Sequence, residues 1–383
     1  MRVSLKWSAI VLAAMSCGVD ASAALFSADN LVVVLAGDGQ SVAGSANSAA
    51  VLPVVLQELT ASGAVVQSVA LPTATNGSQY PLTLGRDRAI GQLNLTADGR
   101  HLVIGGTGLA PRTTAVGAVP RTVGRVSFDG SVDTSTRIVG SYDDLTESGI
   151  RGVASADGSA FWLAGKGTGD RGIQYIEIGQ STPTLLTDPL LNSRHLSIVD
   201  GQLYNTDKQV DAVGAGLPTV GTVVPTPFIP NAAGGGDWNS AQLFDLDDSI
   251  PGVDTVYFAY ASHETGNHIE KWAFNGASWL QNEVFNIVLP SEVQPAAGVL
   301  FLTARELGDD IELLATTRGL ANNSTENSLV RILDHSAGST TTYLATAPQH
   351  YTFKGVAFAP IPEPMAASLL AFCLAPALMP PRR

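Results

Sequence analysis

The chain has 383 residues, of which 45% are hydrophobic and 14% charged, enough apolar material for a large core and too little charge for a disordered protein. Its 39 Gly and 21 Pro are scattered between short apolar runs, a pattern of many turns joining short strands that excludes a helical bundle or coiled coil. Twenty-one basic residues against 34 acidic ones leave a net charge of −13, and so anionic a chain is neither a general nucleic-acid binder nor attracted to acidic membranes.

At the N-terminus, Arg2 and Lys6 precede an uncharged, mostly apolar stretch over 7–16 and then Ala21-Ser22-Ala23. A positive start, an apolar middle and a small-x-small end predict a signal peptide over 1–23, cut by signal peptidase after Ala23. Asp20 and the small residues end the apolar run too early for it to span a membrane. The two cysteines, Cys17 and Cys373, both lie in the terminal segments, so an ectodomain over 24–361 has no disulfide, thiol nucleophile or cysteine-ligated metal.

Three apolar strands come next, over 31–35, 51–56 and 65–71, and then a unit begins to repeat. Ile90 to Leu95 leads through Ala97-Asp98-Gly99 into Leu102-Val103-Ile104, followed by two strands of more polar alternation. The same order returns around Ala156-Asp157-Gly158 and again around Asp200-Gly201. Taking Leu93, Val153, Leu196, Leu243, Val299 and Val356 as equivalent, the unit recurs at intervals of 43 to 60 residues, the span of a four-stranded propeller blade. The last unit has only its first strand, and the N-terminus has three strands to spare. Pairing them closes a ring without an exposed edge and predicts an all-β, six-bladed β-propeller. Seven blades are the alternative, because 209–240 is ambiguous, and a two-domain β-sandwich is the competing architecture.

Signatures of chemistry are sparse. There is no Gly-x-Ser-x-Gly elbow, and Gly165-Lys166-Gly167 lacks the flanks of a phosphate loop. His263-Glu264 and His268 are spaced wrongly for a zinc-protease helix and fall in a hairpin loop. Asp245, Asp247, Asp248 and Asp309-Asp310 match no Ca²⁺ loop and read as solvated turns. No catalytic residue, metal or cofactor is assigned. One pattern stands out: a basic residue just ahead of the first strand in several copies, Arg88, Arg151, Arg194 and Lys354, near the expected mouth of the central channel. Cations converging there would attract an anionic ligand such as the uronate groups of a polysaccharide, with Trp238, His350 and Tyr351 as stacking surfaces. The competing reading has each arginine pinned by a nearby carboxylate, such as Asp143, Asp144 or Glu147 beside Arg151.

The C-terminal segment 362–383 has three ordered elements: Pro362-Glu363-Pro364, an apolar run from Met365 to Met379, and the pair Arg382-Arg383. Positive residues resist translocation, so the arginines stay inside while the bulk of the chain lies outside. Fifteen residues span only ~22 Å as a helix against a ~30 Å hydrocarbon core, and Pro376 interrupts them, so the segment is a poor permanent anchor. This tail resembles the PEP-CTERM sorting signal. The resemblance implies export in a Gram-negative bacterium, transient membrane insertion, processing by an exosortase near Pro362-Glu363-Pro364, and a setting of exopolysaccharide and biofilm production. The chain as a whole therefore reads as a surface- or matrix-associated binding protein rather than an enzyme. A propeller hydrolase or lyase acting on an extracellular polymer or small ester is the alternative.

Overall fold

The computed structural model describes residues 24–40, 50–85, 87–113, 119–142, 149–167, 172–187, 192–230, 238–260, 267–291, 293, 296–319, 326–336 and 338–362. Its first strands are β1 (Leu31–Gly37), β2 (Val54–Leu59) and β3 (Val65–Ala70). Blade 1 holds β4 (Leu93–Leu95), β5 (His101–Thr107), β6 (Arg121–Ser127) and β7 (Val132–Ile138); blade 2 holds β8 (Gly149–Ala154), β9 (Ala160–Lys166), β10 (Gln174–Glu177) and β11 (Thr184–Leu185). Blade 3 comprises β12 (His195–Val199), β13 (Gln202–Thr206), β14 (Val210–Val213) and β15 (Pro225–Ile229), so the ambiguous stretch supplies its outer half rather than a seventh blade. Blade 4 comprises β16 (Trp238–Phe244), β17 (Thr255–Tyr260), β18 (His268–Phe274) and β19 (Trp279–Asn286), and blade 5 β20 (Ala296–Leu307), β21 (Asp310–Gly319), β22 (Ser328–His335) and β23 (Gly338–Thr346).

The sixth sheet has the order β24-β1-β2-β3, with β24 spanning Tyr351–Phe358. Leu31 pairs with Phe358 and Gly37 with Tyr351, so the last strand is clasped by the first and the ring is closed as the spare-strand count predicts. All six sheets are four-stranded and antiparallel: the chain is a six-bladed β-propeller.

Apolar runs instead of strict alternation mark the second strand of most blades, because that strand faces a core on both sides; β13 of blade 3 instead buries the polar Asn205 and Thr206 beside Leu203 and Tyr204. In β1, Val32, Val34 and Ala36 pack toward blade 1 with Leu93, Leu102 and Ile104, while Leu31, Val33 and Leu35 pack toward blade 5 with Leu314 and Leu329. In β17, Val256 and Phe258 face Tyr204 and Val210 of blade 3, and Tyr257 and Ala259 face Val299 and Leu313 of blade 5. The apolar clusters are thus interfaces between blades, and each buried Leu or Val in them contributes about 1.5–3 kcal/mol. Outer strands such as β19 and β23 are mostly exposed and correspondingly polar.

Close approach of the inner strands sets the geometry at the axis. A Cβ on Gly355 would lie 2.2 Å from the Leu93 nitrogen, and the Gly355 N–H donates to the Gly91 carbonyl at 2.8 Å. Asn94 of β4 reaches two further blades, donating through Nδ2 to the carbonyls of Val153 (2.7 Å) and Leu196 (2.9 Å). Turns between first and second strands lie at the other end of these strands. There Gly99 takes φ +77°, and the Ala97 and Asp98 N–H groups donate to Ser155 and Ala156 of the next blade at 3.0 Å.

Candidate ligand-binding mouth

Because the six innermost strands run in one direction around the axis, their first residues form a single mouth and their ends a single turn face. Arg151 lies in β8 and Lys354 in β24; Arg194 directly precedes β12, and Arg88 occupies the turn before β4. All four lie on the mouth side of the ring, where Arg151 and Lys354 are buried and Arg194 largely so.

They are held there by a belt of polar contacts. Arg151, with 6% of its side chain exposed, donates through Nη2 to Asp87 Oδ2 at 2.7 Å and through Nη1 to Asn192 Oδ1 at 2.7 Å. Asn192 Nδ2 donates to Asp207 Oδ1 at 3.1 Å, and Arg194 Nε stands 3.7 Å from the same oxygen. Arg194 Nη1 continues to the Trp238 carbonyl at 3.0 Å, and Lys354 Nζ reaches back to the Asp87 carbonyl at 2.8 Å. This belt runs from the closing blade through blades 1, 2 and 3 to blade 4. The carboxylate seen on Arg151 is Asp87, distant by 64 positions in sequence, whereas Asp143, Asp144 and Glu147 fall outside the described residues.

Burial and charge push the belt's carboxyls in different directions. At Asp87 burial acts upward, but the Arg151 charge, the Ala89 N–H and the Lys354 charge outweigh it and hold the carboxyl below its ordinary range. At Asp207 burial wins over Arg194 and Asn192, and the carboxyl is raised. Asp211 is raised as well, by burial and by the neighbouring Asp207 charge, against bonds from Gln209 and Asn205.

Trp238 does not offer the stacking surface expected of it. Its ring is fully buried, stacked on Phe258 with centroids 3.8 Å apart and met edge-on by Trp272. The indole N–H of Trp238 donates to Glu270 Oε2 at 3.1 Å, Trp272 donates to the same oxygen at 2.9 Å, and His268 Nε2 lies 3.3 Å from Oε1. Burial would raise Glu270, yet these donors keep it below its ordinary range. His268 is thus an internal partner of Glu270 and lies beneath a stacked Tyr260 ring, while His263 and Glu264 lie outside the described residues. Tyr351 is half-buried at the rim, with its ring against Gly37 and Gly39, and His350 beside it takes φ +68°.

His195 is the residue the sequence reading overlooked. It opens β12, is fully buried, and accepts the Ala241 N–H through Nδ1 at 3.2 Å across the blade 3–4 boundary. Burial drives its pKa down to about 3, so the ring is neutral. Among the described residues no group of three His, Cys, Asp or Glu side chains could hold a metal ion. The opposite face bears carboxylates on its turns: Asp98, Asp157, Asp200, Asp245 and Asp309.

No protein-family model and no curated protein matches the chain. Solved structures resemble it distantly. A 6-phosphogluconolactonase candidate from Bacteroides uniformis matches 84% of this chain and 83% of its own, at 9% identity and a TM-score of 0.45. A chain of a nidogen/laminin complex matches 86% and 98%, at 12% identity and a TM-score of 0.40. A GH74 enzyme from Niastella koreensis matches 80% and 46%, at 13% identity and a TM-score of 0.39. None of the three gives this chain an activity.

Segments 1–23 and 363–383, which hold Ala21, Ala23, Glu363, Pro364, Arg382 and Arg383, lie outside the described residues; Pro362 is described and exposed. Among the described residues no helix is long and apolar enough to cross a membrane.

Proposed function

We propose that the chain is an exported, envelope- or matrix-associated propeller that binds a carboxylated polysaccharide at its mouth and is sorted by the tail from Pro362 to Arg383. The observation that carries the reading is the placement of charge. Arg88 and Arg194 precede inner strands and Arg151 and Lys354 lie in the first halves of theirs, whereas the first-to-second-strand turns carry aspartates, in a chain of net charge −13. An acidic polymer is steered away from the turn face and toward the rim. Asp87 and Asn192 occupy the buried Arg151 guanidinium, so in this reading Arg151 acts on a ligand through the field of the rim and not by direct contact.

The test is calorimetric titration with polygalacturonate at low and high salt, beside a neutral glucan. Binding of the acidic polymer is expected to weaken with salt. Lys208→Ala, at an exposed position in the turn between β13 and β14 on the mouth side, is expected to weaken it several-fold without changing the melting temperature. Equal binding of the neutral glucan, or salt-independent binding, defeats the proposal.

A hydrolase or lyase is the second reading, favoured by one observation: Asp207 and Asp211 are both raised by burial next to the cationic belt, as a general acid must be. Depolymerisation of the same probe, lost in Asp207→Asn, supports it; binding without product excludes it for that polymer.

A further inference from the structure

Both ends of the described chain leave from the turn face. The Phe26 N–H donates to the Phe128 carbonyl, beside the turn between β6 and β7, at 3.0 Å, and Gln67 Nε2 donates to the Ala24 carbonyl at 2.9 Å. At the other end Ala359 N–H donates to Asn30 at 2.9 Å, and Ile361 N–H donates to Gly99, in the turn between β4 and β5, at 2.8 Å. Strand direction makes this unavoidable: β24 runs from mouth to turn face as an innermost strand, and β1, antiparallel to it, must start where β24 ends.

From Pro362 to Met365, where the apolar run begins, the chain advances three residues and reaches at most about 11 Å. The polar layer on each side of a bilayer is roughly 5–8 Å deep. A membrane-inserted tail therefore leaves no room for the ring to tumble. We infer that the tail holds the turn face against the lipid headgroups and presents the cationic mouth away from the membrane, so that the mouth receives a soluble or matrix polymer and not a lipid headgroup. This orientation rests on the reading of the tail under Proposed function. It also brings Asp98, Asp200 and Asp309 within about a Debye length of the surface, which opposes lasting contact with an anionic leaflet.

The test uses the chain from Ala24 to Arg383, the form left by signal-peptide removal, with Cys373→Ser and a dye on one introduced cysteine. Asp309→Cys marks the turn face and Val288→Cys the mouth side; both positions are exposed, Val288 at 79%. Each protein is reconstituted with phosphatidylcholine vesicles containing a headgroup-linked nitroxide quencher, and flotation is scored in parallel. Flotation with the dye at 309 quenched several-fold more strongly than the dye at 288 is the expected result. Flotation with equal quenching, or stronger quenching at 288, overturns the orientation and leaves the tail reading intact. Absence of flotation overturns the tail reading, and the orientation with it.

Discussion

Two buried groups at the mouth respond to acid, His195 first and Asp87 at lower pH. His195 has an unfolded-state pKa near 6.5 and a folded one of about 3, so between these values the unfolded chain binds the extra proton. Its contribution is complete above pH 6.5 and is lost progressively as the pH falls toward 3, by several kcal/mol in all. His195→Asn keeps an acceptor for the Ala241 N–H and has no proton to gain, so its melting temperature is expected to vary less between pH 6.5 and 4. Equal slopes for variant and wild type would disprove the assignment. Asp87, lowered on folding, contributes above its unfolded pKa of 3.8, and that contribution fades as the pH falls through the lower folded value. Asp87→Ala strands the Arg151 charge and is expected to cost about 3–5 kcal/mol by denaturant titration at pH 7. A cost under about 1 kcal/mol would mean that Asn192 alone suffices to hold it.

At the scale of the element, β24 decides whether the propeller is a ring. It supplies the inner strand of the closing blade and packs Phe353, Val356 and Phe358 into the interface with blade 5. Ending the chain at Pro362 leaves this strand complete; ending it at Ala347 removes it and exposes the β1 edge. The chain ending at Pro362 is expected to melt as one cooperative transition, and the chain ending at Ala347 to aggregate or lose cooperativity. Tight inner-strand packing gives a point-mutation counterpart. Gly355→Ala places a methyl 2.2 Å from the Leu93 backbone nitrogen, a contact that no side-chain rotation relieves, so a loss of about 2 kcal/mol or more is expected.

For the whole molecule, the repeat and the ring were legible because each blade must bury both sides of its second strand. That requirement writes apolar runs such as Leu31–Leu35 and Leu102–Ile104 into the chain, with an Asp-Gly turn ahead of Leu102. The missing strand count then dictated closure. For the cations the spacing was only partly informative: Arg88 and Arg194 precede their inner strands as expected, whereas Arg151 and Lys354 lie within β8 and β24. Their partners were not legible, since Asp87, Asn192 and Asp207 come from other blades or connections and no local spacing signals the pairing. A hint existed in Asp87 itself, a carboxylate set inside the basic run Arg86-Asp87-Arg88. Trp238 shows the same limit. An aromatic at a strand start reads equally as a rim surface or as core, and the neighbouring Phe258 and Trp272 decide for core.

Local periodicity and a count of strands were enough to reach the all-β class, the blade repeat and the closure by exchanged terminal strands. Which carboxylate meets which arginine, that Trp238 points inward to Glu270, that His195 is buried and neutral, and that the described residues begin and end opposite the mouth came from the three-dimensional arrangement alone. Those facts depend on contacts between blades tens to hundreds of residues apart. Ring closure, not spacing along the chain, brings such groups within hydrogen-bond distance.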